Sequence, residues 1–230
     1  MVKFSIAKTI ECKVLADKFH NFIFRTEIPI VYKPGQYISI KVADSRINCY
    51  SIATNEGENK FGLLVDTSPG GPGSKYFENL KVGDEINFLG PFGTFIFKPD
   101  SAVKHILFLG TGSGCAPLRC IIDNLLKIEH VQTPMTLYLG LRYQADIFWQ
   151  DYFEKLSKGY LNFNFVLVIS KPDANWQGKS GHITDCISQD FPDMSGLTAY
   201  LCGNISMIQE ATSILVSRGI AKEKIYSEKF

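Results

Sequence analysis

The first part of the chain, up to about Lys98, consists of short segments in which apolar and polar positions alternate. Turn signals separate these segments, at KPG (33–35), NEG (55–57) and SPGG (68–71). A period of two with almost no helical periodicity is typical of antiparallel strands, and many short strands at this spacing predict a β-barrel. The segment "DEINFLGPFGTFIF" is predicted as one of the strands, and one short helix is predicted over Ser74–Leu80.

The pattern changes after the segment Pro99–Lys104, where short apolar runs begin to alternate with segments of helical spacing. Strands and helices in alternation predict a parallel sheet covered by helices. The chain is therefore predicted to have two domains, with Pro99–Lys104 as the natural linker. An antiparallel β-barrel spans residues 1–99, and an α/β domain with a parallel sheet spans residues 104–230.

The turn after the first apolar run of the α/β part carries glycines at alternate positions, Gly110, Gly112 and Gly114, and Pro117 follows in the next helix. Glycine permits positive φ and close approach to a ligand, while free N–H groups and the helix dipole attract an anion. The turn therefore predicts a site for a pyrophosphate. Its spacing departs from G-x-G-x-x-G, and a tight turn without a ligand is the alternative interpretation.

Charge, apolar run length and cysteine spacing argue against several classes of protein. The 230 residues include 24 basic and 23 acidic side chains, so the net charge of +1 gives no basic stripe for nucleic acid. No run approaches the apolar length of a membrane span, and the N-terminus does not resemble a signal peptide. The six cysteines are far apart, which predicts reduced thiols and a cytoplasmic protein. Cys115 and Cys120 lack the further cysteines of an iron–sulfur site, and the scattered histidines predict no metal site.

Several short motifs, in order, resemble those of the ferredoxin–NADP reductase family, which includes cytochrome b5 reductase-like and bacterial flavin reductase-like members. They are "PGQY" (34–37), "NCYSIAT" (48–54), "GPGS" (71–74), "GTGSGCAP" (110–117) and "CGNISM" (202–207). The resemblance extends over essentially the whole chain. It implies a barrel that binds FAD and an α/β domain that binds NADH or NADPH as cosubstrate.

The resemblance also implies roles for individual residues. The Tyr50 ring packs on the isoalloxazine and the Ser51 hydroxyl binds its N5 edge, while Cys202 lies beside the nicotinamide. The implied catalytic residues are Ser51, Cys202 and Glu228. The implied flavin-binding residues are Arg46, Asn48, Cys49, Tyr50, Ser51, Gly71, Gly73, Ser74 and the terminal aromatic Phe230. The implied NAD(P)-binding residues are Gly110, Thr111, Gly112, Gly114, Pro117, Arg142, Ser170, Lys171, Cys202, Gly203 and Met207.

Each of these assignments has a plain structural alternative. Taken alone, Tyr50 and Ser51 fit an ordinary barrel strand, and Gly71–Ser74 fits a common helix start. A lone Cys202 is more often a small core residue, and Phe230 fits an aromatic tail that fills an apolar seam.

The chain departs from the family motif at Asn48, where members usually carry an arginine that pairs with a flavin phosphate. Unless Arg46 reaches the same phosphate, a charged bidentate contact is lost, and flavin binding becomes weak or exchangeable. For the coenzyme, Ser170 and Lys171, with Lys179 close behind, stand where NADPH users commonly place Ser-Arg. NADH and NADPH both stay open.

The expected function is that of an FAD-dependent NAD(P)H oxidoreductase. Hydride passes from nicotinamide to flavin, and electrons pass on to a separate acceptor, either a redox protein or a small molecule. The alternatives are a free-flavin reductase that uses flavin as a substrate, and an FAD-binding electron-transfer subunit of a larger complex. The acceptor and the oligomeric state are open.

Overall fold

The N-terminal part of the chain folds as a closed barrel of antiparallel strands in the computed structural model, which describes residues 4–229. The strands follow the order β1-β2-β5-β4-β3-β6 around the barrel. A single helix, α1, lies between β5 and β6. The bounds are β1 Ser5–Ala16, β2 Phe19–Thr26, β3 Tyr37–Ala43, β4 Arg46–Asn55, β5 Lys60–Asp66, α1 Pro72–Asn79 and β6 Glu85–Phe92.

The C-terminal part is a six-stranded sheet in the order β10-β9-β8-β7-β11-β12. All of its neighbouring strands are parallel. The strands are β7 His105–Thr111, β8 Met135–Leu141, β9 Phe163–Ile169, β10 Lys179–Ser180, β11 Leu197–Gly203 and β12 Ile225–Lys229. The helices are α2 Cys115–Lys127, α3 Gln150–Gly159, α4 Ile183–Asp190 and α5 Ile205–Ser217.

The predicted fold class, a barrel followed by a parallel α/β sheet, is confirmed. The central strands β7 and β11 are buried on both faces, which explains why their sequences are continuous apolar runs rather than alternating ones. Strand β7 has β8 on one side and β11 on the other, so the chain order reverses between β7 and β11. In open α/β sheets, ligands bind in the crevice at the carboxyl ends of the strands at such a reversal.

Two sequence-based boundaries need correction. The segment predicted as the last barrel strand leaves the sheet after Phe92, where Gly93 takes a φ of +104° and a Cβ would lie only 3.0 Å from the ring of Tyr37. The short helix begins at Pro72 instead of Ser74, since proline suits the first helical position, and it ends at Asn79.

The chain between the two sheets packs with the second one. The rings of Phe95 and Phe97 both lie 6.0 Å from that of Tyr200, and the Tyr200 hydroxyl accepts a hydrogen bond from the backbone N–H of Lys98 at 2.9 Å. A division into domains at residues 99 and 104 stays a prediction. None of the helices within residues 4–229 combines the length and apolar character needed to cross a membrane.

Candidate functional site

A cavity of about 810 Å³ lies between the barrel and the carboxyl edge of the parallel sheet. Both parts of the chain contribute to its walls, and β7 and β11 end at it. It is therefore the crevice that the strand order predicts. The predicted site residues that line it are Cys49, Tyr50, Ser51, Thr111, Gly112, Arg142, Ser170, Lys171, Gly203 and Met207.

The three predicted catalytic residues are neighbours. The buried Ser51 hydroxyl donates a hydrogen bond of 3.2 Å to Oε2 of Glu228, which lies on the edge strand β12. Glu228 is in register with Cys202 on β11, and Cys202 is in register with Gly110 on β7. The structure thus joins a barrel residue to the end of the parallel sheet, beside the turns that follow β7 and β11.

The protonation of these groups follows from their burial. Burial raises the pKa of Glu228 above its ordinary value, against the opposing effect of the Ser51 hydrogen bond. Burial also raises the pKa of the Cys202 thiol well above its ordinary value, and the nearby Glu228 adds to this shift. Cys202 is therefore a neutral thiol at neutral pH, suited to packing and weak hydrogen bonding rather than to nucleophilic attack.

The turns after β7 and β11 interlock at the cavity. A Cβ on Gly114 would overlap the carbonyl of Cys202, and a Cβ on Gly203, whose φ is +150°, would overlap the Thr111 hydroxyl. That hydroxyl accepts a hydrogen bond of 3.2 Å from the N–H of Asn204, whose side chain in turn caps α5. Bare backbone and two helix starts therefore meet at one place, as a pyrophosphate site requires.

A second close contact between backbone and side chains lies on the barrel, where β4 meets the first turn of α1; it is called the Gly73 cradle below. Arg46, Asn48 and Tyr50 share one face of β4, where Nε of Arg46 donates to Oδ1 of Asn48 at 3.2 Å. The amide nitrogen of Asn48 donates to the Tyr50 hydroxyl at 3.3 Å. The backbone of Gly73, in the first turn of α1, fits so closely against this chain that a Cβ would overlap both Asn48 and Tyr50. Burial raises the pKa of Tyr50, so its phenol is neutral.

Several predicted residues lie near the cavity without lining it. Arg46, Asn48 and Gly73 adjoin Tyr50, and the other predicted members of this turn are Gly71 and Ser74. Gly110, Gly114, Pro117 and Cys202 belong to the two strand-to-helix connections. Phe230 lies outside the described residues.

The two lysines considered for the coenzyme differ in their surroundings. Lys171 lines the cavity, whereas the ammonium of Lys179 is paired with Asp190, which also accepts a hydrogen bond of 2.8 Å from Tyr138. The charge of Lys179 is therefore already paired within the protein, whereas Lys171 stays the candidate for a coenzyme phosphate.

Sequence reasoning missed other residues of the wall. Asn204 carried a recognisable signal, a capping residue between a strand and an apolar helix. No sequence pattern indicated Lys18 and Asp146, because each lies in a connection and the two residues meet only in the tertiary fold. The other missed residues with polar groups at the wall include Ser113, His182, Thr184 and Ser206.

Comparison with known proteins agrees with the geometry. The oxidoreductase FAD-binding domain matches residues 7–97, and the oxidoreductase NAD-binding domain matches residues 108–213. The CDP-6-deoxy-L-threo-D-glycero-4-hexulose-3-dehydrase reductase of Yersinia pestis is 30% identical over 232 residues, covering 97% of this chain and 69% of that protein. The chain belongs to the ferredoxin–NADP reductase-like family. The resemblance predicted from the motifs is confirmed.

Other members of this family are reductase components of larger systems. The reductase component of a naphthalene 1,2-dioxygenase/salicylate 5-hydroxylase system of Ralstonia is 31% identical over 204 residues, which cover 88% of this chain and 61% of that protein. The Amycolatopsis cytochrome P450 reductase GcoB has a TM-score of 0.92 at 27% identity, and the match covers 99% of this chain and 70% of that one. The chain thus spans only 61% and 62% of the two naphthalene dioxygenase reductase components that it matches.

The residues present fit both nucleotides of this family. Gly73 places backbone without a side chain against the Tyr50 hydroxyl, and Tyr50 lines the cavity, where a flavin would stack on its ring. The interlocked turns at Gly114 and Gly203 leave backbone at the cavity for the second nucleotide. FAD and NAD(P)H are therefore the cofactor and cosubstrate of this fold.

The Gly73 cradle can be tested by adding one methyl group. We expect Gly73→Ala to push Asn48 and Tyr50 away from the α1 turn and to weaken FAD binding at least tenfold, about 1.4 kcal/mol. The control is Gly159→Ala, where a Cβ meets no atom within 4 Å. Fluorescence titration of the flavin measures both affinities. Equal affinity in the two variants would show that the cradle does not hold the flavin.

The burial of Glu228 predicts a pH-dependent stability. A raised pKa means that the folded protein binds the proton more tightly than the unfolded chain, so this contribution is present at low pH and is lost as the pH rises through the folded value. Glutamine stays neutral throughout. The free energy of unfolding of Glu228→Gln should therefore increase, relative to wild type, as the pH rises from about 4.3, the ordinary value for glutamate, through the raised folded value.

Urea unfolding at several pH values measures this difference. Glu58→Gln, which replaces an exposed carboxylate on the barrel, is the matched control and should show no comparable trend. A flat difference for Glu228→Gln would mean that its carboxyl is solvated in the folded protein.

Proposed function

We propose that this chain transfers hydride from NAD(P)H to FAD and passes electrons on to a separate redox acceptor. The observation that carries the proposal is the hydrogen bond between Ser51 and Glu228 beside Cys202. This bond joins β4, which carries the predicted flavin-stacking residue Tyr50, to the edge of the parallel sheet where the turns after β7 and β11 lie. The nicotinamide that donates the hydride and the flavin that accepts it can therefore meet at one site.

Bound FAD supplies the redox chemistry, since it accepts a hydride and releases electrons singly or in pairs. The chain supplies orientation. Tyr50 offers a neutral aromatic face, and Ser51 offers a hydroxyl that can donate or accept at Oγ. Glu228 accepts the hydrogen bond that the Ser51 hydroxyl donates, so it sets the direction in which that hydroxyl points. Cys202 holds its thiol proton and keeps water from the end of β11, where it is fully buried.

The proposed acceptor is a separate redox protein, as part of a multicomponent system. Support comes from the relatives, which include reductase components of naphthalene 1,2-dioxygenase and propane 2-monooxygenase systems. We also infer a reducing, cytoplasmic setting, because all six cysteines are free thiols and Cys12 and Cys49 are exposed.

A free-flavin reductase is the second candidate, and one observation favours it. Asn48 stands at the position of the family arginine, and the Arg46 guanidinium is hydrogen-bonded to Asn48 and exposed on the barrel surface. A flavin phosphate therefore has no buried charged partner at this strand, which weakens retention.

The purified protein decides between the two. The proposal predicts a yellow protein with about one FAD per chain, whose flavin absorbance is bleached within a single turnover by anaerobic NADH or NADPH. A colourless protein that oxidises NAD(P)H only with added flavin would support the free-flavin alternative. A protein that binds flavin and shows no bleaching with either coenzyme would contradict the proposal.

Coenzyme choice is tested at the two lysines. If Lys171 meets a 2′-phosphate, Lys171→Ala should lower kcat/KM for NADPH about fivefold, the equivalent of roughly 1 kcal/mol, and spare NADH. Lys179→Ala is the matched control, because its charge is already paired with Asp190. Steady-state kinetics with both coenzymes measure the effect. An equal loss for NADH and NADPH would remove Lys171 from the phosphate site.

A further inference from the structure

The tip of the hairpin between β1 and β2 reaches across to the parallel sheet. The Lys18 ammonium forms an ion pair of 3.0 Å with Oδ2 of Asp146, in the connection after β8. The adjacent Phe19 ring packs on the ring of Phe148 with centroids 4.5 Å apart. Two consecutive residues of the barrel thus contact one short segment of the other sheet.

The same tip also adjoins one turn of the barrel, at residues 67–70, and one turn of the parallel sheet, after β7. The carbonyl of Lys18 accepts a hydrogen bond of 2.9 Å from the N–H of Thr67, and the carbonyl of Thr67 accepts one of 3.1 Å from Gly70, just before α1. On the other side, a Cβ on Gly112 would lie 3.7 Å from the Phe19 ring. The hairpin tip therefore lies between the turn that adjoins the flavin cradle and the turn after β7.

The ion pair is sheltered from solvent. The side chains of Lys18 and Asp146 are 26% and 7% exposed. The same carboxylate oxygen accepts a hydrogen bond of 3.3 Å from the N–H of Tyr143, so it orders the segment that follows Arg142 at the cavity wall. Removing one partner of such a pair leaves a buried charge without compensation, so the segment must rearrange.

We propose that Lys18 is a positioning residue for hydride transfer, which acts through Asp146 to hold the hairpin tip and thereby the spacing between the turn at residues 67–70 and the turn after β7. The inference rests on the proposed function. Hydride transfer requires the reacting atoms to be about 3–3.5 Å apart, and a misplacement of about 1 Å can cost on the order of a hundredfold in rate. The ion pair holds the hairpin tip against the connection after β8, and the same tip contacts residue 67 through the Lys18 carbonyl and lies beside Gly112 through Phe19, so loss of the pair would alter this spacing.

The experiment compares Lys18→Met, Asp146→Asn, the double variant and Lys18→Arg, with Lys41→Met as the control. Lys41 also forms an ion pair, with Asp44 at 3.1 Å, but that pair is exposed and local to the barrel. Single-turnover flavin reduction gives the hydride-transfer rate, and titration with NAD(P)⁺ gives nucleotide affinity. Amide hydrogen exchange of the proteins as purified reports on residues 67–70 and 143–148 independently of activity.

We expect Lys18→Met and Asp146→Asn each to slow flavin reduction at least tenfold, with nucleotide affinity changed less than about threefold. The double variant should be no slower than the singles, since both remove one interaction, and Lys18→Arg should restore most of the rate. Exchange should become faster in both segments in the Met and Asn variants, and Lys41→Met should match wild type in every measurement.

Other results overturn the inference. A wild-type rate in Lys18→Met overturns it, as do multiplicative losses in the double variant or unchanged exchange in both segments. Should Lys18→Met fail to fold, Asp146→Asn, which preserves side-chain size, decides by the same criteria. A wild type that binds flavin but is not reduced by NAD(P)H contradicts the proposed function instead, and hydrogen exchange then decides whether the hairpin ties the two turns.

Discussion

The close approach of the turns after β7 and β11 is the constraint on which the site depends. Backbone lies against backbone where Gly114 meets the carbonyl of Cys202, and backbone lies against a side chain where Gly203 meets Thr111. Any side chain at either glycine would force the two strand ends apart. Because these strands are adjacent at the reversal of strand order, their turns open onto one crevice, and the barrel closes its other side.

The barrel is held there by a continuous apolar core. Phe19 and Leu64 of the barrel belong to the same buried cluster as Phe108 and Tyr200 of the parallel sheet. The connecting segment adds Phe95 to this cluster instead of extending the last barrel strand. Dispersion and burial are non-directional, so this core holds the two parts together without fixing their rotation. Directional contacts, such as those of Ser51 with Glu228 and of Lys18 with Asp146, are suited to that task.

The sequence was sufficient for the fold class because its periods are local properties, two in the barrel strands and helical in the second part. The same local character explains the error after Phe92, where "FGTFIF" alternates like a strand although Phe95 joins the core between the two sheets and Phe97 packs against it. The pairing of Ser51 with Glu228 joins residues 177 positions apart, which no local pattern predicts. The family resemblance implied that both residues are catalytic, but it did not predict their contact. The contact of Lys18 with Asp146 had neither a pattern nor a motif to indicate it.

The distribution of charge within the cavity fits hydride chemistry. Where the barrel and β11 meet, burial favours the neutral forms of Tyr50, Cys202 and Glu228, whose pKa values are all raised. The cationic side chains Arg142 and Lys171 lie farther along the wall, just after the ends of β8 and β9. A hydride moves between two rings, so fixed charge beside its path would favour one redox state over the other. The neutral groups at this junction therefore favour neither redox state in the proposed hydride transfer. The wall beyond the junction carries charges of both signs, since Asp66 and Glu210 line the cavity together with Arg142 and Lys171.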